Sequence, residues 1–223
     1  MHNVVERLIA IQSEIKELLT KANSPNKDFN IIVVCKTFPM NKILPLIENG
    51  HIHFGENKVQ EAELKWKEIK KKYSNIKLHM IGKLQTNKVK KALKIFDYIH
   101  SVDNYKLAEK IFIYEKNLDK KIKTFIQVNI GEEPQKIGVD PKNINQLVKH
   151  CRNNFSLNVI GLMCLPPISK NPEKYFLYLN ELRKQSDLCH LSMGMTNDYQ
   201  IAAKCGSTFL RIGTKIFGER NTS

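Results

Sequence analysis

Lys36 directly follows Ile31-Ile32-Val33-Val34-Cys35, five apolar residues in succession. An amine carried out of such a run is held at the edge of an apolar interior. Loss of hydration there lowers its pKa and leaves it nucleophilic, which is the chemistry of Schiff-base formation with a carbonyl. The same position also suits a lysine that lays its stem on the apolar surface and returns its ammonium to water. Near the other end of the chain, Arg211-Ile212-Gly213-Thr214 precedes Lys215-Ile216-Phe217. Backbone N–H groups at a helix start there can face an anion, and Ser192 with the amides of Met193 and Gly194 offers donors from the opposite side. Any one of these glycines serves a tight turn equally well.

Other chemistries find less support. The dinucleotide pattern GxGxxG and the phosphate loop GxxxxGK[ST] are both absent. Cys35, Cys151, Cys164, Cys189 and Cys205 are odd in number and form no CxxC pair, which suits reduced thiols rather than a disulfide or zinc framework. Cys35 lies one position before Lys36 and, under strand alternation, points the other way, as a core thiol. His53 and Glu56 are candidate bases, but His53 reads as part of a short strand and Glu56 as a loop or helix-start residue.

The elements that must position these residues alternate. Val4, Leu8, Ile11, Ile15 and Leu18 make a helical stripe over residues 4–19, broken by Ser24 and Pro25. Strand runs follow at 31–35, 52–54, 78–81, 98–101, 124–129, 158–162, 189–191 and 208–211. Between them the spacing predicts helices near 41–49, 57–73, 85–95, 104–117, 142–151, 172–187 and 197–204. Helix 57–73 is the plainest, with Val59, Ala62, Trp66, Ile69 and Tyr73 on one face. Eight strands alternating with helices imply parallel βαβ units, and a closed (β/α)8 TIM barrel with an extra N-terminal helix accommodates them better than an open doubly wound sheet. No linker, repeat or low-complexity segment interrupts the series, so residues 1–223 are expected to form a single domain. In such a barrel the loops after the strands converge on one mouth, where Lys36, Asn57, Met163, Ser192, Met193, Arg211, Gly213 and Thr214 all fall.

Thirty-six lysines and arginines against 22 acidic residues give a net charge of +14, which raises the prospect of a polyanionic partner. Only five of the basic residues are arginines, the type preferred for bidentate phosphate and base contacts. Lysines such as Lys65, Lys67, Lys70, Lys71 and Lys72 read instead as an exposed helix face, and no specific nucleic-acid partner is expected. No run reaches the roughly 18 apolar residues of a membrane span, and Glu6 and Arg7 interrupt any signal-peptide core. The expected setting is the cytoplasm, with no membrane partner and a monomeric state.

The segments Cys35-Lys36-Thr37-Phe38-Pro39, His53-Phe54-Gly55-Glu56-Asn57-Lys58-Val59-Gln60-Glu61, Ile81-Gly82-Lys83-Leu84-Gln85-Thr86-Asn87-Lys88, Gly161-Leu162-Met163, Leu191-Ser192-Met193-Gly194-Met195 and Arg211-Ile212-Gly213-Thr214-Lys215-Ile216-Phe217-Gly218 resemble, in order and spacing, the pyridoxal phosphate homeostasis protein family. The resemblance covers nearly the whole chain. It implies a barrel similar to the N-terminal domain of alanine racemase, holding pyridoxal 5′-phosphate (PLP) as an internal aldimine on Lys36. Asn57 is then beside the ring and Met163 near it, Arg211 reaches the pyridine nitrogen, and Ser192, Gly213 and Thr214 hold the phosphate with the backbone of Met193. The sequence departs from the commoner pattern at Cys35 and Thr196, where serine is frequent, at Lys83, where histidine is, and in the loop Glu132–Gly138, with Pro134 and Ile137.

The resemblance also implies a non-catalytic protein that buffers or delivers PLP, with PLP-dependent apoenzymes as possible recipients. An arginine at the pyridine nitrogen disfavours its protonation and weakens the ring as an electron sink. Racemases of this arrangement take a second base, a tyrosine, from an additional domain, for which no segment is expected after the eighth unit. The alternative is a PLP-dependent amino-acid racemase or lyase of weak activity.

Overall fold

The computed structural model describes residues 3–23, 28–133, 137–168 and 171–219. The expectations for Ser24 and Pro25 and for Pro134 lie outside the described residues. Eight strands, β1 (Asn30–Val34), β2 (His53–Glu56), β3 (Lys77–Met80), β4 (Tyr98–Val102), β5 (Lys123–Val128), β6 (Asn158–Cys164), β7 (His190–Ser192) and β8 (Phe209–Ile212), close into one barrel in chain order. All pairings are parallel, and the seam joins β1 to β8 from Asn30↔Phe209 to Val33↔Ile212.

Nine helices are present among the described residues: α1 (Asn3–Lys21), α2 (Met40–Glu48), α3 (Val59–Lys72), α4 (Val89–Ile95), α5 (Tyr105–Leu118), α6 (Ile144–Asn153), α7 (Glu173–Gln185), α8 (Tyr199–Lys204) and α9 (Thr214–Phe217). The expected helix at 85–95 is a 3-10 turn, Thr86–Lys88, running into α4. That at 142–151 likewise starts with a turn, Pro141–Asn143. Asp140 caps this turn by accepting from the Lys142 amide at 2.8 Å, with proline in the position where its missing N–H costs nothing. No helix among the described residues is long and apolar enough to cross a membrane.

The N-terminal helix buries Val5, Leu8, Ile11, Ile15 and Leu19. The anticipated stripe is therefore rotated slightly at its ends, where Val4 and Leu18 are only partly covered. It is fastened to the last two units: Arg7 Nη1 donates to the Ile216 carbonyl at 3.3 Å, and the Tyr199 hydroxyl donates to Glu14 at 2.6 Å. The basic face of α3 departs from expectation. Lys67, Lys71 and Lys72 are exposed, but Lys65 and Lys70 are partly buried. Lys70 Nζ reaches Asp97 at 2.6 Å and the Ile95 carbonyl at 2.8 Å, while Asp97 also accepts from the Leu78 amide. Long stems let these lysines cross to the neighbouring unit, where buried acceptors require a donor.

Alternate residues of each strand face opposite ways, so Ile31 and Val33 pack under the helices while Ile32 turns inward. Inside, Ile32 meets Tyr98, Phe125, Met163 and Phe209. The second strand face is not uniformly apolar: His79, His100, Gln127, Ser192 and Arg211 are buried as well. One close approach fixes how β6 lies on its neighbours. A Cβ at Gly161 would sit 2.2 Å from the His190 carbonyl oxygen and 2.7 Å from a Phe125 ring carbon. Gly161→Ala is expected to destabilise the fold by about 1–3 kcal/mol through forced overpacking. Urea denaturation measures it, and an unchanged midpoint with an unchanged slope contradicts this account of the β6–β7 contact.

Candidate functional site

The loops after the strands enclose a cavity of about 620 Å³, within the size range of small-molecule sites. Lys36, Asn57, Arg211, Gly213 and Thr214 line it. The structure thus brings together five of the eight residues singled out in the sequence, from the ends of β1, β2 and β8. Met163, Ser192 and Met193 are not on its wall. Met163 is fully buried in the interior cluster and Met193 in the core beneath the helices, because β6 continues to Cys164 and β7 ends at Ser192. Ser192 lies behind Arg211 and touches it.

The turn that carries Lys36 is pinned on both sides. Thr37, with φ of 67°, donates its amide to Glu61 Oε1 at 2.8 Å, and Lys65 Nζ donates to the Cys35 carbonyl at 2.9 Å. Lys65 also bridges Glu56 at 2.9 Å and Glu61 at 3.0 Å. Glu56 is not the loop residue expected. It ends β2, is wholly buried, and accepts from Trp66 Nε1 at 2.9 Å. Burial raises its carboxyl above the usual range against the pull of Trp66 and Lys65. Its role is to hold α3 and the Lys36 turn together. Cys35 is buried and donates its thiol to the Val33 carbonyl, and burial together with the Glu56 charge holds its pKa well above normal. It is no nucleophile in this state.

Asn57 is placed by a backbone contact: a Cβ at Gly82 would lie 2.4 Å from the Asn57 carbonyl oxygen, so the β3 loop can rest on this backbone only as glycine. Arg211 is fixed from behind. Its Nη1 donates to Ser192 Oγ at 2.6 Å and its Nη2 to the Cys164 carbonyl at 2.8 Å. Burial draws its pKa down from the ordinary arginine value.

Behind Ser192 a row of imidazoles crosses the barrel interior. Ser192 Oγ is 2.9 Å from His100 Nδ1, His100 Nε2 is 2.9 Å from His79 Nδ1, and His79 Nε2 is 2.9 Å from His53 Nδ1. His79 stacks on Tyr98 at 4.1 Å and His100 on Phe125 at 4.3 Å.

Several of these residues were missed in the sequence. The alternation Tyr98-x-His100, His190-x-Ser192 and Phe209-x-Arg211 is a period-two polar signal inside strands that read as uniformly apolar. The spacing of Glu61 and Lys65 is that of an i,i+4 ion pair. The loops Leu165–Ile168 and Met195–Asp198, which complete the cavity wall, carry no comparable signal.

Comparison with known proteins agrees with this geometry. The family profile of the alanine racemase N-terminal domain matches residues 7–221. The pyridoxal phosphate homeostasis protein of Aquifex aeolicus is 36% identical over 229 residues, covering 98% of this chain and 99% of its own. The structure of PipY from Synechococcus elongatus PCC7942 with PLP bound is 33% identical, with a TM-score of 0.78 over 92% of this chain and 100% of that one. An alanine racemase from Clostridium difficile, 13% identical, shares the fold with a TM-score of 0.70 over 94% of this chain and 57% of its own.

The buried imidazoles predict an acid-sensitive stability. Burial holds His79 and His100 well below the usual histidine range and brings His51 and His53 to about 4. The unfolded chain protonates these groups near pH 6.5 and the folded chain does not, so the unfolded state binds more protons and stability rises with pH. The contribution is complete above the unfolded value and is lost as pH falls from there towards 4. Each histidine adds a slope of up to about 1.4 kcal/mol per pH unit. Glu56 and Asp103, with carboxyls raised by burial, act in the opposite sense, as two groups against five histidines that burial lowers, His190 included. Urea midpoints measured between neutrality and the carboxylate range are expected to fall steeply, and a flat profile contradicts neutral interior histidines.

Proposed function

This chain belongs to the pyridoxal phosphate homeostasis proteins of the alanine racemase N-terminal domain family, and from that premise we propose that it binds PLP at the barrel mouth to buffer and deliver it without catalysis. The observation that carries this reading is that one cavity collects an amine, Lys36, a clamped guanidinium, Arg211, and the Gly213–Thr214 turn. The donor set fits the group: two cations face the cavity against one carboxylate, Asp198, which already accepts from the Met195 amide at 2.6 Å. An anionic ligand of PLP's size suits both the charge and the volume. When bound, PLP supplies an aldehyde that condenses with an amine and passes to another amine by exchange.

In this reading Lys36 is the amine that holds the aldehyde, and the Glu61 and Lys65 contacts keep its turn from swinging away. The Gly213 and Thr214 backbone and the Thr214 hydroxyl receive the phosphate, while Ser192, expected beside them, stands behind Arg211 and Met193 in the core. Asn57 lies beside the ring, with Met163 in the packing below. Arg211 faces the pyridine nitrogen. Arginine keeps its charge at any accessible pH and has no acceptor, so it withholds a proton from that nitrogen. Proton abstraction at a substrate carbon is handicapped, while simple holding is not.

Among the described residues the cavity wall carries no tyrosine, histidine or cysteine, which supports a carrier over a two-base racemase. The mouth is rimmed by the exposed side chains of Leu165, Ile168 and Met195, leaving an entrance for an incoming amine. The working setting is the cytoplasm, with the protein as a monomer and PLP-dependent apoenzymes as recipients.

Borohydride reduction after incubation with PLP, followed by peptide mapping, is expected to leave one adduct, on Lys36, and none on Lys36→Ala protein. An adduct of equal yield on the variant overturns the assignment. Chiral chromatography of amino acids incubated with the PLP-loaded protein is expected to show no interconversion above that of free PLP, and turnover above it favours a weak racemase.

A further inference from the structure

Two fully buried histidines, with a third partly buried beside them, are expensive to place in a barrel. Such interiors are ordinarily filled with branched aliphatic side chains, and each polar group left unpaired costs about 1–3 kcal/mol. His79 and His100 are both 0% exposed, and the Arg211 guanidinium beyond them is 4% exposed. Each can be tolerated there only if its neighbour satisfies it.

The row has one consistent proton order. Arginine has donors only, so Arg211 Nη1 donates to Ser192 Oγ. The serine hydroxyl proton then has a single acceptor within reach, His100 Nδ1. A neutral imidazole donates from one nitrogen and accepts at the other. His100 therefore carries its proton on Nε2 and gives it to His79 Nδ1, and His79 carries its own on Nε2 and gives it to His53 Nδ1. In the reverse order the serine hydroxyl is left without an acceptor in a dry interior. The permanent cation at one end thus sets the tautomer of every ring down to His53, on the first residue of β2.

We propose that Ser192, His100, His79 and His53 are positioning residues for Arg211: a proton-ordered chain through the barrel that fixes the guanidinium plane at the floor of the PLP site. The proposal rests on the functional reading above for what Arg211 meets in the cavity, but the chain's order is a property of the protein alone. It gives the interior imidazoles a role beyond filling space, because a phenylalanine in their place packs as well but accepts nothing from Ser192. The Cys164 carbonyl holds only one of the two terminal nitrogens. Without Ser192 and the ring that receives its proton, the other is free to rotate away.

The test has two arms. In ligand-free, 15N-labelled protein near neutral pH, long-range proton–nitrogen spectra are expected to show His53, His79 and His100 each as the neutral Nε2–H tautomer. Ser192→Ala, which deletes one oxygen, is expected to convert His100 to a tautomer mixture and to carry His79 and His53 with it. In the second arm, equilibrium dialysis with PLP is expected to show roughly tenfold weaker binding for Ser192→Ala and His100→Phe, the loss of one hydrogen bond to a charged group. His100→Asn, whose amide oxygen stands where Nδ1 stood, is expected to recover most of the affinity while leaving His79 mixed. Nδ1–H or mixed tautomers in the wild type overturn the proposal. So do unmoved His79 and His53 signals in Ser192→Ala, or wild-type affinity in folded His100→Phe protein. If the wild type takes up no PLP, the functional reading fails instead, and the spectra alone decide the order of the chain.

Discussion

A guanidinium taken out of water has to be hydrogen-bonded on every side that solvent no longer reaches, and Arg211 imposes that requirement on the barrel. One terminal nitrogen goes to the Cys164 carbonyl at the end of β6 and the other to Ser192 at the end of β7. Satisfying Ser192 in turn draws a histidine from β4, another from β3 and a third from β2 into the interior. The aromatic packing of Tyr98, Phe125 and Phe209 around these rings is the accommodation of flat, polar side chains in a space that aliphatic residues fill elsewhere. The cation that lines the cavity is thereby held from β6 and β7 together.

A second polar network, outside the strands, does for Lys36 what the interior row does for Arg211. Lys65 ties together Glu56, Glu61 and the Cys35 carbonyl. Glu61 at the same time receives the Thr37 amide. Trp66 closes the network from the helix side while packing on Phe54 with ring centres 4.9 Å apart. Both flanks of Lys36 are therefore tied to α3. Lys36 is thereby carried on a fixed turn at the cavity that Arg211 also lines.

Much of the fold was legible in the sequence because burial on two faces imposes a simple pattern. Strands covered by helices outside and by side chains inside must be short and apolar, and helices on the outer layer must carry one apolar stripe. The run at 31–35 and the stripe of α3 follow from that alone. Boundaries shifted where a local hydrogen bond intervened, as at the Asp140 cap, or where a strand ran on past its apolar run, as β6 does to Cys164. Lys65 and Lys70 of α3 were misread for a related reason: composition records a charge but not the acceptor on a neighbouring unit that draws it inward.

The sequence by itself determined the eightfold alternation, the lysine at the end of the first strand, the arginine and the glycine turn at the end of the eighth, and through the spacing of its motifs the family. These are properties of short segments, in which residue type and order suffice. Only the tertiary structure decided that Ser192 stands behind Arg211 instead of on the cavity wall, that Glu56 is a buried anchor, and that His53, His79 and His100 form one row. Those relations join residues on different strands, and the shear and closure of the barrel, which line up side chains of β2, β3, β4, β7 and β8 in one hydrogen-bonded row, are written in no single stretch of the chain.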